Sequence, residues 1–231
     1  LKGKSVCTSN KELVAAHGAE LIKIAQEHNR NFLFEAAVGG GIPIIRPINM
    51  HITADKICEI AGILNGTTNY ILTKMDKEGA DFDSTLKQAQ DLGYAERNPE
   101  ADIEGYDAVR KIAILGSLAT GKTVDYKEVY TEGISKITAE DFKYAKAMNR
   151  SIKLLGKCKN EDGVMVASVA PRLLSPNHPL YNVNDVVNGI LVRGNMVGDL
   201  VFIGSGAGRL PTASAVVSDV VDSVRHLNVS T

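Results

Sequence analysis

The chain has 231 residues, 44% hydrophobic and 23% charged, which is enough for one large or two small domains and too apolar for a disordered chain. Its 26 basic and 27 acidic side chains leave a formal net charge of −1, which excludes a general field for nucleic acid or a membrane surface. No apolar run approaches the roughly 20 residues of a membrane helix, and Cys7, Cys58 and Cys158 lie too far apart, without a CxxC pair, for a disulfide framework or structural zinc.

In chain order, Ser5 to Thr8 reads as the end of a buried strand. Asn10 is placed to cap a helix that carries Val14, Leu21, Ile22 and Ala25 on one face and stops near residues 27–30. Asn31 to Val38, short and apolar around Glu35, predicts a second buried strand, so the opening unit looks like half of a doubly wound sheet. Gly39-Gly40-Gly41-Ile42-Pro43 breaks that strand, and a short helix is expected over Ile44 to Met50. Ile57 to Leu64 predicts a strand, followed by a helix from Gly66 to about Gly79. Asp83 is read as the cap of a further helix closing at Leu92-Gly93. Ala95 to Gly105, acidic and carrying Pro99, is read as a loop. Asp107 to Leu118 predicts a helix, and Thr138-Ala-Glu-Asp141 a capping box.

After Ser151 the texture changes. Residues 151–159, 164–170, 189–193 and 200–203 alternate or run apolar between turn residues and predict strands of one mixed or antiparallel sheet. The tail after Pro211 places Ala213, Val216, Val217, Val220 and Val221 at helical spacing. The chain begins at Leu1 rather than Met and is read as a piece of a longer protein.

Gly116-Ser-Leu-Ala-Thr-Gly121-Lys122-Thr123 matches a phosphate-binding loop residue for residue. That loop needs a strand before it, yet a helix runs into it here, so it is read as a helix end with Gly121 as terminator. Gly204-Ser-Gly206-Ala-Gly208 sits between a strand and a helix like a dinucleotide fingerprint, but no second strand with an acidic residue follows. It is read as a glycine turn that lets backbone approach a ligand or a neighbouring domain.

The informative chemistry lies in Glu96, Asp102, Asp107 and Lys111. Asp107 and Lys111 share a helix face at i,i+4, and a solvated ion pair is the plain alternative. The same helix carries Val109, Ile112, Ala113 and Leu115, and the loop before it supplies Glu96 and Asp102 beside Tyr94. Carboxylates converging on a cleft can hold an ammonium group, and a lysine there can transfer a proton. Lys11, at the start of the first helix, is placed to reach a cleft at the strand ends. The histidines show no ligand spacing.

Six ordered motifs now stand together: Thr8-Ser-Asn-Lys11, Phe34-Glu-Ala-Ala-Val-Gly-Gly-Gly-Ile-Pro43, Asn65-Gly-Thr-Thr-Asn-Tyr-Ile-Leu72, Gly93-Tyr-Ala-Glu96, Asp102-Ile-Glu-Gly-Tyr-Asp107-Ala-Val-Arg-Lys111 and Gly206-Ala-Gly208. With them the chain resembles homoserine dehydrogenases along nearly its whole length. The resemblance implies an α/β protein: an α+β substrate domain with a mixed sheet, plus the second half of a Rossmann-like dinucleotide-binding domain. The expected division is residues 1–38 as the remnant of that domain, 39–208 as the substrate, catalytic and dimerisation domain, and 209–231 as a C-terminal helix returning to the first. The family's GxGxxG loop is not found in this chain, so the piece alone is expected to be inactive.

The implied activity interconverts L-homoserine and L-aspartate 4-semialdehyde with NADP or NAD, in amino-acid biosynthesis. Lys111 is then the proton-transferring residue, with Lys11 and Asp107 beside it. Glu96, Asp102, Tyr94, Gly66 and Thr67 would bind the substrate, and Lys11 and Gly208 would touch the cofactor. A sodium ion would fall at Glu35, Val38, Gly40 and Ile42. The expected partners are a small amino-acid substrate and a second copy in a homodimer, with no nucleic acid and no membrane, in the cytoplasm. A noncatalytic oligomerisation module or pseudoenzyme of the same fold is the alternative.

Overall fold

Capping chemistry starts the molecule. Strand β1 (Val6–Cys7) leads to Asn10, whose side chain accepts the Leu13 N–H and opens α1 (Lys11–Glu27). The chain returns in β2 (Phe32–Leu33), parallel to β1. In the computed structural model, which describes residues 3–161 and 164–226, these two strands form a sheet of their own. Val6 is exposed there rather than buried.

The strand expected over Asn31–Val38 is realised only at Phe32–Leu33, and Glu35–Ala37 is a turn of 3-10 helix. The cause is tertiary. The Glu35 N–H donates to Asp219 Oδ2, far along the chain, instead of to a neighbouring strand. Its carboxylate reaches forward, Oε1 accepting the N–H groups of Ile44 and Ile45 at 2.6 and 2.8 Å and Oε2 that of Arg46 at 2.9 Å. Between them Gly39 and Gly40 adopt φ of 75° and 56°, which lets the chain reverse. The helix expected after Ile44 is present, wound as a π-helical turn at Pro47–His51.

Strand β3 (Ile57–Ile63) follows, then α2 (Gly66–Glu78), capped by Asn65 and stopped by Gly79. In α3 (Phe82–Asp91) the capping residue is Asp81 rather than Asp83, since the Asp81 side chain accepts the Ser84 N–H. The acidic stretch read as a loop contains a short helix, α4 (Glu100–Ile103), with Pro99 at its N-cap position. Helix α5 (Tyr106–Thr120), β4 (Tyr130–Thr131) and α6 (Ala139–Ala147) come next, the last opened by the capping box of Thr138 and Asp141. Strands β5 (Ser151–Glu161), β6 (Val164–Leu174), β7 (Val187–Gly194) and β8 (Gly198–Ser205) and helix α7 (Arg209–Arg225) complete the described chain. No helix among the described residues is long and apolar enough to cross a membrane.

The large sheet has the order β4-β6-β5-β3-β7-β8, antiparallel except for the parallel β4–β6 pair. The late strands share one mixed sheet, as expected, and β3 lies between β5 and β7 within it. One face packs Ile60, Ile152, Leu154, Ile190 and Val192 against Ile71, Met75, Ile112 and Leu115 of α2 and α5. The other holds a smaller cluster in which Leu180 and Val183 fold over Ile63, Leu155, Leu174 and Leu191. Helix α5 lies close on the sheet because Gly116 faces the sulfur of Cys158, where a Cβ would stand only 2.6 Å away. The phosphate-loop look-alike is thus a packed helix end with Gly121 at φ 65°.

Behind the smaller cluster, Lys153 is 1% exposed and donates to Val183 O at 2.7 Å, Asn184 Oδ1 at 2.9 Å and Asn69 Oδ1 at 3.3 Å. Burial lowers its pKa to about 8 from an ordinary 10.5, so folding opposes its charge. That cost is fully present below pH 8 and is relieved as the pH rises towards 10.5. The stability of the wild type relative to Lys153→Met should therefore be flat below pH 8 and rise above it. Paired denaturant titrations measure this, and a difference that stays constant across the window contradicts it.

Candidate active site

Asn65 lies two residues beyond β3 and caps α2, so the α2 N-terminus opens at the end of an interior strand of the sheet. Helix α5 runs beside it and is buried along Ala108, Val109, Ile112 and Leu115, which fixes Asp107 and Lys111 on a rigid face. These elements, α4, the start of α1, the 36–40 turn and the 205–208 turn enclose a cleft of about 620 Å³.

Its floor is a charged cluster. Lys111 is 8% exposed, and its ammonium donates to Asp107 Oδ2 at 2.7 Å and Leu64 O at 2.8 Å. Lys11 reaches the other carboxylate oxygen, Oδ1, at 3.3 Å. The solvated ion pair is excluded, because Asp107 is 7% exposed and bracketed by two lysines. Burial raises the Asp107 carboxyl, but Lys111, the Asn65 amide and Lys11 outweigh it, and its pKa lies below the ordinary carboxylate value. Asp102 goes the other way: burial raises it, the Asn65 amide lowers it, and the Asp107 charge adds to the rise.

Thr67, Tyr94 and Glu96 stand at the rim with Gly66. The Thr67 hydroxyl donates to Tyr94 O at 2.7 Å, and the Tyr94 ring packs edge-on against Tyr70 at 5.1 Å between centroids. Glu96 is exposed, and none of its carboxylate oxygens makes a hydrogen bond or ion pair among the described residues. Lys11 and Gly208 line the same cleft. The structure thus brings every substrate, catalytic and nucleotide candidate named from the sequence to one cleft.

Part of the wall, at the 39–40 and 205–208 turns, is backbone. A Cβ on Gly40 would stand 2.5 Å from the carbonyl carbon of Gly206, so the 39–40 and 206–207 turns touch without side chains. Gly208 adopts φ 119° and opens α7, whose first N–H groups have no side-chain cap. A bare glycine wall ending at a helix N-terminus fits the polar part of a nucleotide cofactor. The sodium candidates fit less well. Glu35 already uses three of about four acceptor positions on backbone N–H groups. Among the described residues no cluster of three His, Cys, Asp or Glu side chains could hold a metal.

Sequence reasoning missed two residues here. Asn65 donates to both Asp102 Oδ1 at 2.7 Å and Asp107 Oδ2 at 3.0 Å, although only its capping role has a sequence signature. Asn188, 1% exposed on β7, lies against Gly206 and leaves its Oδ1 without a hydrogen-bond partner among the described residues, and nothing local announces it.

Comparison with known proteins gives the chain's family. A family model described as homoserine dehydrogenase matches residues 43–221. The chain is 48% identical over 225 residues to the homoserine dehydrogenase of Synechocystis sp., covering 96% of this chain and 52% of that protein. It is 44% identical over 226 residues to that of Bacillus subtilis, covering 98% and 52%. The crystal structure of a homoserine dehydrogenase from Thiobacillus denitrificans superposes with a TM-score of 0.93 at 46% identity, over 96% of this chain and 51% of that one. A hyperthermophilic archaeal homoserine dehydrogenase in complex with NADPH gives 0.83 at 33% identity, over 96% and 64%. The chain spans about half the length of the curated relatives it matches.

Proposed function

The chain belongs to the homoserine dehydrogenase family, and on that footing we propose that its full-length protein interconverts L-homoserine and L-aspartate 4-semialdehyde with NAD(P), in the route to threonine, methionine and isoleucine. This chain would supply the groups that hold the substrate and move its proton. The observation that carries the reading is the buried Lys111, tied to Asp107 and Leu64 O on one side and open to the cleft on the other.

Two of the three ammonium N–H groups of Lys111 are spent on fixing its position, which leaves one for the reacting oxygen. That free position lets it hand a proton to the aldehyde oxygen in the reducing direction and take one from the hydroxyl in the oxidising one. Asp102 and Glu96 would pair with the substrate's ammonium group and aim its far end at Lys111. A bound nicotinamide supplies the hydride donor or acceptor. Lys11, Gly208 and the α7 N-terminus are the groups of this chain that would face it. Use of NAD(P) itself is supported by the archaeal relative in complex with NADPH. No step requires a sodium ion at the 35–42 turn.

The division into residues 1–38, 39–208 and 209–231 is part of the same reading. It is supported by the separate β1–β2 sheet and by α7 packing on β1 and the Glu35–Ala37 turn. A homodimer is supported by the outer sheet face, where Val166, Val201 and Ile203 stay exposed while Leu200 and Phe202 pack inward. The solution mass of the full-length protein tests it. The activity is tested by homoserine-dependent formation of NADH or NADPH by that protein. Dimerisation without turnover on either nucleotide would favour the noncatalytic module instead.

A further inference from the structure

Asn65 sits where the buried Asp107 carboxylate meets the half-buried one of Asp102. Its Oδ1 accepts the Thr68 N–H at 2.9 Å and starts α2. Its Nδ2 donates at once to Asp102 Oδ1 at 2.7 Å and to Asp107 Oδ2 at 3.0 Å. The amide is 6% exposed, so these bonds form away from bulk water. Helix α4, which carries Asp102, is anchored at Ile103, which packs on the core and whose carbonyl accepts the Ile134 N–H at 2.8 Å. Asn65 adds a second tie, from the Asp102 side chain itself to the rigid α2–α5 pair.

We propose that Asn65 is a positioning residue: its amide clamps Asp102 to Asp107, keeping one Asp102 oxygen occupied and the carboxylate ionised and aimed at the ligand's ammonium group. The proposal rests on the dehydrogenase reading of this cleft. The charged groups facing Asp102 are Asp107 and Lys111 of α5. Lys11 of α1 meets the far oxygen of Asp107, and Glu96 stands at the rim. Burial and the Asp107 charge both push Asp102 toward its protonated form, and the Asn65 amide is the strongest influence against it. A protonated Asp102 pairs poorly with an ammonium.

Serine separates the two duties of this side chain. Asn65→Ser keeps an N-cap oxygen for Thr68 and loses the double donor. In the full-length enzyme it should leave the melting temperature within a few degrees and the nucleotide KM unchanged. The homoserine KM should rise about tenfold or more, as expected for a lost hydrogen bond to a charged group. The acid limb of kcat/KM for homoserine should move to higher pH. Asn65→Asp, which caps but adds a third carboxylate, should be worse still at neutral pH. A lower melting temperature with wild-type homoserine KM and pH profile would make Asn65 a cap alone and overturn the proposal. Wild-type values in every measurement would overturn it too. Absence of homoserine-dependent turnover in the wild type would instead overturn the functional reading beneath it.

Discussion

Replacing Lys111 with alanine in the full-length protein is expected to lower kcat by about 10²–10⁴-fold, the range that a positioned general acid–base contributes. Nucleotide affinity should stay within a few-fold, because the Lys111 ammonium is committed to Asp107 and Leu64 O on the α5 side of the cleft. Lys111→Arg should not restore turnover. Arginine does not release its proton near neutral pH, and its planar head cannot make the same pair of contacts. Lys122→Ala is the control, because Lys122 lies in the turn after α5 and outside this cleft, and it should keep kcat within a few-fold. Steady-state kinetics with a parallel nucleotide titration reads all three. Near-normal turnover in Lys111→Ala would remove the lysine from the chemistry.

The second large effect is on stability. Glu35→Ala should cost about 3–5 kcal/mol, because it strands three N–H groups and an unsatisfied buried donor costs about 1–3 kcal/mol. Ile44 and Ile45, two of the donors, are 0% and 5% exposed, so water cannot replace the carboxylate without opening the turn. Against a typical stability of about 5–15 kcal/mol, that is a large share. Glu35→Gln should cost less. Its one carbonyl oxygen can still serve Ile44 and Ile45, which share Oε1, and the bond to Arg46 is the one given up. The loss should be the same in sodium and potassium salts, since the carboxylate acts on backbone donors. Denaturant midpoints at unchanged m values measure it, and equal stability of the alanine variant would contradict it.

The sheet, most helices and the cleft were legible because their signals are local. Asn10 and Thr138 cap where capping chemistry puts them, β8 alternates as a half-buried strand does, and β5 and β7 run apolar as buried ones do. Asp107 and Lys111 share a face by helical spacing alone. The misses share one physical cause: partners distant in sequence decided the local form. Glu35 leaves the strand ladder because Asp219 takes its N–H and the 44–46 backbone takes its carboxylate. A sequence window sees a β-like run there and nothing else. The Asn65 clamp needs α4 and α5 already in place, and the Gly40–Gly206 contact needs two turns far apart in the chain. Asp81 and Asp83 compete for one helix start, and composition does not choose between neighbours that can both cap.

The most direct measurement is a crystal structure of the full-length protein with L-homoserine bound. The account predicts the amino nitrogen at hydrogen-bond distance, about 3 Å, from a carboxylate oxygen of Asp102, and the hydroxyl oxygen at similar distance from Lys111 Nζ. A homoserine bound the other way round, with its amino group on the Gly40–Gly206 side and its hydroxyl away from Lys111, would contradict it.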